Sequence, residues 1–212
     1  MSNVKRVYTF GDRKAEGNAS MKNLLGGKGA NLAEMNLIGV PVPAGFTSTT
    51  EVCTEYNQIG KDAVVELMKA EVEAGIASTE KAMHAKFGST GEAFPLLVSV
   101  RSGARASMPG MMNTVLNLGM NDETVKLVAQ KSGSEKFAYD SYRRFIHMYG
   151  DVVMGVEAEE GEHDPFEVVL DKVKSAKGYA SDTEMTAEDL KGVVEDYKAV
   201  VKAKAGIDFP TN

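Results

Sequence analysis

The chain has 212 residues, of which 43% are hydrophobic and 25% charged, and its formal net charge at pH 7 is −6. These fractions are ordinary for a globular protein, and an acidic balance argues against nucleic acid as a general partner. No run of about 18 apolar residues is present, so the sequence predicts neither a transmembrane helix nor a membrane partner. The single cysteine, Cys53, excludes an intrachain disulfide and favours the cytoplasm or a reducing organelle matrix.

The first half of the chain mixes the periodicities of strands and helices. In chain order we expect a strand over 4–10, a helix beginning after Lys28, a helix over 49–59, one or two helices over 62–87 with an interruption near Gly75, a strand over 96–101 and a short strand over 114–118. Glycine and proline punctuate the connections between these elements. The pattern predicts an α/β unit over residues 1–118.

From residue 119 onward the pattern is mainly helical. One predicted helix has an apolar stripe and a charged row at helical spacing: the stripe is Tyr142, Phe145, Ile146, Tyr149, Val152 and Val153, and the row is Asp140, Arg144, His147 and Asp151. The stripe predicts core packing, and the row predicts a solvated, ion-paired face. Asp164 with Pro165 predicts one more helix start, and Thr186 with Asp189 predicts another through a capping box. The fold class is therefore predicted to be α+β, with a mainly helical subdomain over 119–212.

Glycines surround Lys28 in an early segment of the chain. Gly26, Gly27 and Gly29 flank this lysine, and an apolar pattern of helical spacing begins directly after it. A lysine at such a helix entrance can reach an anion bound at the helix N-terminus. The segment is neither a Walker A loop, which needs Ser or Thr after its lysine, nor the G-x-G-x-x-G dinucleotide fingerprint. By itself the pattern also fits a helix cap beside a solvated lysine.

A second glycine-containing segment follows the strand predicted over 96–101. Alternation from Leu96 to Val100 suggests a buried strand, with Arg101 on its other face at the end. Gly, Ser, Ala and Pro follow, and a loop of this composition exposes backbone N–H groups. Taken alone, the position of Arg101 favours the interpretation as an ordinary surface or ion-paired arginine. Because Lys28 and Arg101 both lie in glycine-rich segments at element ends, the pair favours binding of a polyphosphate.

Four blocks of sequence resemble the nucleotide-binding region of the pyruvate, phosphate dikinase family. The segments GNASMKNLLGGKGANLAEM and GVPVPAGFTSTTEVC resemble the opening of that family, and VSVRSGARASMPGMMNTVLNLG and FAYDSYRRFIHMYGDVVM resemble its next two blocks. The likeness runs from Tyr8 to Met154, and a weaker likeness continues to Phe209 and Pro210. The first block is shared with phosphoenolpyruvate synthases, whereas the last two are more specific to the pyruvate, phosphate dikinases.

The resemblance implies the first lobe of a grasp-type ATP-binding fold within a longer enzyme. Such an enzyme makes phosphoenolpyruvate, AMP and diphosphate from pyruvate, ATP and phosphate through a phosphohistidine. Its cofactors would be ATP and Mg²⁺, and we expect the metal ligands and the acceptor histidine to lie outside this chain. The chain is accordingly expected to be an N-terminal fragment that is inactive alone. Its expected partners are ATP and the remaining domains of the parent, which we expect to be a homo-oligomer.

The same resemblance assigns roles to particular residues. Lys28 and Arg101 are implied to be the catalytic cations that neutralise the ATP phosphates. The implied nucleotide-binding set is Gly27, Lys28, Arg101, Arg105, Gly110, Met112 and Thr114. Met112 is expected to pack near the nucleotide, and Arg105 is either a third phosphate-binding cation or a loop-anchoring ion pair.

Two alternative functions remain open from the sequence. The first is a fragment of a phosphoenolpyruvate synthase-type dikinase, against which the run SMPGMMNT argues. The second is a non-catalytic module that binds a nucleotide or a partner.

Overall fold

The computed structural model describes residues 4–91, 93–103 and 114–211, which form two compact units. Of these residues, the first unit contains 4–85 and 102–103, and the second contains 86–91, 93–101 and 114–211. The predicted division into an α/β lobe over 1–118 and a mainly helical subdomain over 119–212 stays a prediction.

The first unit packs three helices against a small antiparallel sheet. Its strands are β1 (Val7–Gly11), β2 (Lys14–Ala15) and β3 (Gly45–Ser48), and its helices are α1 (Lys22–Leu37), α2 (Glu51–Ile59) and α3 (Lys61–Met83). The sheet order is β2-β1-β3, and Val7 opposes Ser48 while Phe10 opposes Gly45. The buried cluster of this unit consists of Val7, Val64 and Met68, with Phe46, Val52 and Val72 packed against it.

The helix predicted over 62–87 is a single uninterrupted helix, so the expected break near Gly75 was wrong. Gly75 is buried inside α3, and a Cβ atom built there would lie 2.8 Å from the Phe46 ring. This glycine therefore serves a close approach between α3 and β3 rather than a helix end. The helix ends instead at Met83, where His84 takes a left-handed conformation with φ of 50°.

Cys53 lies on α2 with Val52 and Tyr56 beside it, and a helical pattern of this kind predicts a core or boundary position for the thiol. The structure places Cys53 on the exposed face, so that prediction was wrong. Tyr56 is also 50% exposed. The second half of α2 thus faces away from the small core of the first unit.

The second unit is mainly helical and contains the larger core. Its strands are β4 (Lys86–Phe87), β5 (Pro95–Leu96), β6 (Val98–Arg101) and β7 (Thr114–Leu118), and its helices are α4 (Thr124–Ser132), α5 (Glu135–Val152), α6 (Pro165–Lys177) and α7 (Ala187–Ala205). Helix α5 packs against α4, α7 and β7, and α6 packs on α7. The predicted caps are confirmed, because Asp164 accepts hydrogen bonds at the start of α6 and Thr186 with Asp189 forms the capping box of α7.

The core of the second unit confirms most of the predicted apolar stripe. Tyr142, Phe145 and Ile146 are buried, whereas Val152 and Val153 at the end of α5 are 37% and 54% exposed. The stripe therefore ends before the helix does. Together with the first unit, this arrangement confirms the predicted α+β class.

The strand before Arg101 is not buried as the sequence predicted. Leu96 is buried in β5, but along β6 Val98 is half-buried and Val100 is 49% exposed. β6 pairs only with β7 among the described strands, and the register shifts between Val98 and Val100. This irregularity breaks the simple alternation of faces on which the prediction rested.

In the parts of the chain that the structure describes, no helix combines the length and the apolar character needed to cross a membrane.

Candidate functional site

Helix α1 contains a sharp change of direction at the glycines beside Lys28. Gly26 has φ of 69° and ψ of 168°, a non-helical conformation between a first helical turn at 22–25 and a second helical segment at 27–37. Only glycine adopts this conformation without strain. The sequence predicted a helix that begins after Lys28, and in the structure the second segment begins at Gly27, directly before this lysine, although the first turn was not predicted.

Neighbouring groups of the first unit hold the first helical turn in place. The hydroxyl of Thr50 donates to the Asn23 carbonyl at 2.7 Å, and the amide of Thr50 donates to the Leu24 carbonyl at 2.8 Å. A Cβ atom on Gly17 would collide with Leu25 at 2.3 Å, so the chain entering this turn passes directly over that side chain. The turn is therefore attached to the chain segments both before and after it.

The second helical segment packs tightly on one side and is open on the other. Gly29 is buried, and a Cβ atom there would lie 2.5 Å from Thr47 of β3. Among the residues that the structure describes, no atom outside the local backbone lies within 4 Å of the corresponding position on Gly27. Lys28, between them, is exposed. Close packing at Gly29 thus fixes the helix start, while no other described element covers Gly27 and Lys28.

Within the part of the chain that the structure describes, the Lys28 side chain makes one polar contact of modest strength. Its Nζ donates to the backbone carbonyl of Ser102 at 3.3 Å, and both residues belong to the first unit. An exposed hydrogen bond of this length contributes little to stability. The ammonium group can therefore leave this carbonyl for a stronger acceptor at small energetic cost.

Arg101 and Thr114 lie in the second unit. They are cross-strand partners at the ends of β6 and β7, where Arg101 opposes Thr114. Arg101 is exposed and Thr114 is half-buried. The structure thus brings Gly27 and Lys28 together on α1, and Arg101 and Thr114 together on the β6–β7 pair. The predicted site residues Arg105, Gly110 and Met112 lie outside the described residues.

The position of Thr50 was missed by the sequence analysis. A threonine directly before a predicted helix indicates a helix cap, yet the Thr50 side chain makes no capping hydrogen bond to α2. Its hydroxyl bonds instead to α1, which lies far away in the sequence. No periodicity or motif indicates such a contact, because it depends on how β3 returns beside α1.

Metal-binding chemistry has no visible basis in the described residues. Within 4–91, 93–103 and 114–211 there is no group of three or more His, Cys, Asp or Glu side chains placed to hold a metal ion. Two glutamates of the loop at 157–162 form ion pairs with Lys204, whose Nζ lies 3.4 Å from a carboxylate oxygen of Glu159 and of Glu162. These residues do not fit a magnesium site.

Comparison with known proteins gives consistent matches. The sequence model of the family described as "Pyruvate phosphate dikinase, AMP/ATP-binding domain" matches residues 22–70 and 56–148. The chain is 55% identical over 208 residues to pyruvate, phosphate dikinase of Clostridium symbiosum, covering 98% of this chain and 22% of that protein. It is 54% identical over 209 residues to the chloroplastic pyruvate, phosphate dikinase of Mesembryanthemum crystallinum, covering 99% of this chain and 21% of that protein.

A third relative, pyruvate, phosphate dikinase of Rhizobium meliloti (strain 1021), is 50% identical over 207 residues. The chain spans about a fifth of the length of these relatives. The family match includes the kinked helix α1 with Lys28, as well as β6 and β7 with Arg101 and Thr114. The chain therefore belongs to the pyruvate phosphate dikinase family, in its AMP/ATP-binding domain.

Proposed function

We propose that this chain binds the phosphates of ATP as part of a pyruvate, phosphate dikinase, through Lys28 and the glycine-rich entrance of α1. The observation that carries this proposal is the kink at Gly26, after which a half-buried Gly27 and an exposed Lys28 begin a new helical segment. Amide N–H groups in the first turn of a helix lack helical acceptors and suit an anionic oxygen. Lys28 adds a mobile positive charge beside them.

The chemistry of phosphoryl transfer favours such an arrangement. Catalysis there depends chiefly on positioning the phosphates and on neutralising charge that develops in the transition state. Lys28 supplies one cation, and we propose Arg101 as the second. Gly27 and Thr114 contribute an amide and a hydroxyl next to these cations. We propose that Arg105, Gly110 and Met112 complete the nucleotide-binding set, with Met112 against the nucleotide.

We propose that the complete reaction requires a longer polypeptide than this chain. Pyruvate, ATP and phosphate would be converted into phosphoenolpyruvate, AMP and diphosphate through a phosphohistidine, with this chain as the first lobe of a grasp-type site. The Mg²⁺ ligands and the acceptor histidine belong to the rest of such an enzyme. The isolated chain should accordingly bind ATP weakly, with a dissociation constant of about 1 mM, and should not turn it over. We also propose a reducing compartment, in keeping with the exposed free thiol of Cys53.

The test compares the two half-reactions of the full-length parent enzyme. Lys28→Ala and Arg101→Ala should slow the ATP half-reaction at least a hundredfold, because each removes a charge that stabilises the transition state. Exchange between pyruvate and phosphoenolpyruvate should remain nearly unchanged, since other parts of the enzyme carry out that chemistry. Lys22→Ala is the matched control, because Lys22 is an exposed lysine of the same helix on the other side of the kink.

Two results would contradict the proposal. Equal losses in both half-reactions would indicate misfolding rather than lost phosphate contacts. An unchanged ATP half-reaction in Lys28→Ala would remove Lys28 from the site, and a non-catalytic binding module would then be the better account of this chain.

A further inference from the structure

Thr50 bonds to two backbone carbonyls that a continuous helix would use for itself. Its side-chain hydroxyl donates to Asn23 and its amide to Leu24, at 2.7 and 2.8 Å. In an uninterrupted α-helix each carbonyl accepts from the amide four residues later. The carbonyls of Asn23 and Leu24 would therefore accept from Gly27 and Lys28, the two residues at the proposed phosphate site.

The non-helical conformation of Gly26 lies between these donors and acceptors. With φ of 69° and ψ of 168°, Gly26 redirects the chain after the first turn. Thr50 satisfies the carbonyls on one side of the redirection, which lowers the cost of breaking the helix there. Gly29 packs on Thr47, three residues before Thr50, so the second segment is also fixed by the chain around β3.

We propose that Thr50 is a positioning residue for phosphate binding: it captures the Asn23 and Leu24 carbonyls, so that the Gly27 and Lys28 amides are directed to an anion. This inference rests on the proposed function of the Lys28 segment, for which Thr50 would orient the Gly27 and Lys28 amides. Thr50 does not touch the phosphate. Thr50 acts through the kink at Gly26. A substitution can remove its hydroxyl, which bonds to Asn23, but not its backbone amide, which bonds to Leu24.

The experiment uses the chain as it is, labelled with ¹⁵N, and titrates it with ATP and separately with inorganic tripolyphosphate. Three variants are compared with the unmodified chain. Thr50→Val removes the hydroxyl but keeps the shape and the backbone amide. Thr50→Ser restores the hydroxyl. Thr54→Val is the matched control, because Thr54 is an exposed threonine on α2.

We expect the affinity for both anions to fall roughly fivefold in Thr50→Val, the effect of about one hydrogen bond. Thr50→Ser should recover the original affinity, and Thr54→Val should not change it. In the free chain, Thr50→Val should also shift the amide resonances of Gly27 and Lys28 and slow the hydrogen exchange of the Gly27 amide. This second effect follows because the Asn23 carbonyl is released and can accept the Gly27 amide.

The outcomes separate the two proposals. An unchanged anion affinity in Thr50→Val, or a loss that Thr50→Ser does not recover, would overturn the role of Thr50. If neither the unmodified chain nor any variant binds ATP or tripolyphosphate, phosphate binding by this chain is refuted. The amide shifts and exchange rates of the free chain then still decide whether Thr50 sets the kink. Binding of tripolyphosphate without binding of ATP would retain the role of Thr50 but would argue against a nucleotide.

Discussion

At the scale of single residues, neighbouring arginines on α5 have opposite environments. Arg143 has a side chain only 5% exposed and pairs with Asp140 at 2.8 Å and Asp182 at 3.0 Å. Arg144 is 60% exposed and pairs with Asp140 at 3.0 Å. The sequence placed Asp140 and Arg144 on a solvated, ion-paired face, and that pair is confirmed. The sequence pattern gave no indication that the neighbouring Arg143 would carry a buried charge.

We expect Arg143→Ala to lower the free energy of unfolding by about 3 kcal/mol, the lower end for breaking a buried pair, because both aspartates retain some solvent. Arg144→Ala should cost less than about 1 kcal/mol, as is usual for an exposed pair. Urea denaturation followed by circular dichroism measures both values. Similar losses for the two variants would show that the buried contacts of Arg143 do not stabilise the second unit.

At the scale of elements, two helical glycines differ in what surrounds them. Gly75 of α3 lies against Phe46, where a Cβ atom would come within 2.8 Å of the ring. Gly192 of α7 has open space at the same position. A sequence pattern cannot distinguish these glycines, because the distinction depends on whether another element lies across the helix.

We expect Gly75→Ala to destabilise the first unit by about 1–3 kcal/mol through overpacking against Phe46. Gly192→Ala should instead stabilise the chain by about 0.5–1 kcal/mol, because alanine loses less conformational entropy in a helix. Thermal unfolding of the two variants gives the comparison directly. A stabilising effect of Gly75→Ala would mean that α3 can move away from β3 without loss.

Two phenylalanines of α5 provide a second comparison at this scale. Phe145 is 4% exposed and its ring lies 5.8 Å from that of Phe209 and 5.5 Å from that of Tyr149. Phe137 on the same helix is 54% exposed. Phe145→Ala should therefore cost about 3–5 kcal/mol, and Phe137→Ala less than about 1 kcal/mol. Denaturant unfolding of each variant tests this, and a small loss for Phe145→Ala would contradict its place in the core.

At the scale of the whole molecule, the buried clusters of the two units differ greatly in size. Among the described residues, the main cluster of the first unit has three buried members and that of the second has eighteen. The hydrophobic contribution to stability grows with the buried apolar area. The first unit, which carries Lys28, therefore depends on far less core than the second.

We expect the first unit to lose its structure at a lower denaturant concentration than the second. Methyl resonances of Val7 and Met68 would report on the first unit, and those of Val193 and Val201 on the second, through a urea titration followed by NMR. The midpoint for the first pair should be the lower one. Coincident midpoints would show that the units unfold as one cooperative body.

Features that depend on neighbouring residues could be predicted from the sequence, whereas features that depend on contacts between distant residues could not. Local signals gave the capping box at Thr186 and Asp189, the strand at β7 and the family, because each depends on neighbouring residues or on whole motifs. Long-range packing decided the exposure of β6, the continuity of α3 through Gly75 and the contact of Thr50 with α1. The kink at Gly26 belongs to both groups, since glycines suggested a special backbone but not its direction.

The kink at Gly26 also divides the dipole of α1. A helix that begins again at Gly27 has its own positive pole there, and Lys28 adds a like charge to that pole, with no acidic residue in the turn 27–30. A cation in this position is unfavourable by about 0.3–1 kcal/mol. The ligand-free chain should therefore gain stability when Lys28 is replaced by glutamine, which thermal unfolding can measure, whereas a bound anion would offset the repulsion. In the absence of an anion, the Lys28→Gln form of this segment should thus be more stable than the natural one, although it lacks the charge that the proposed phosphate binding requires.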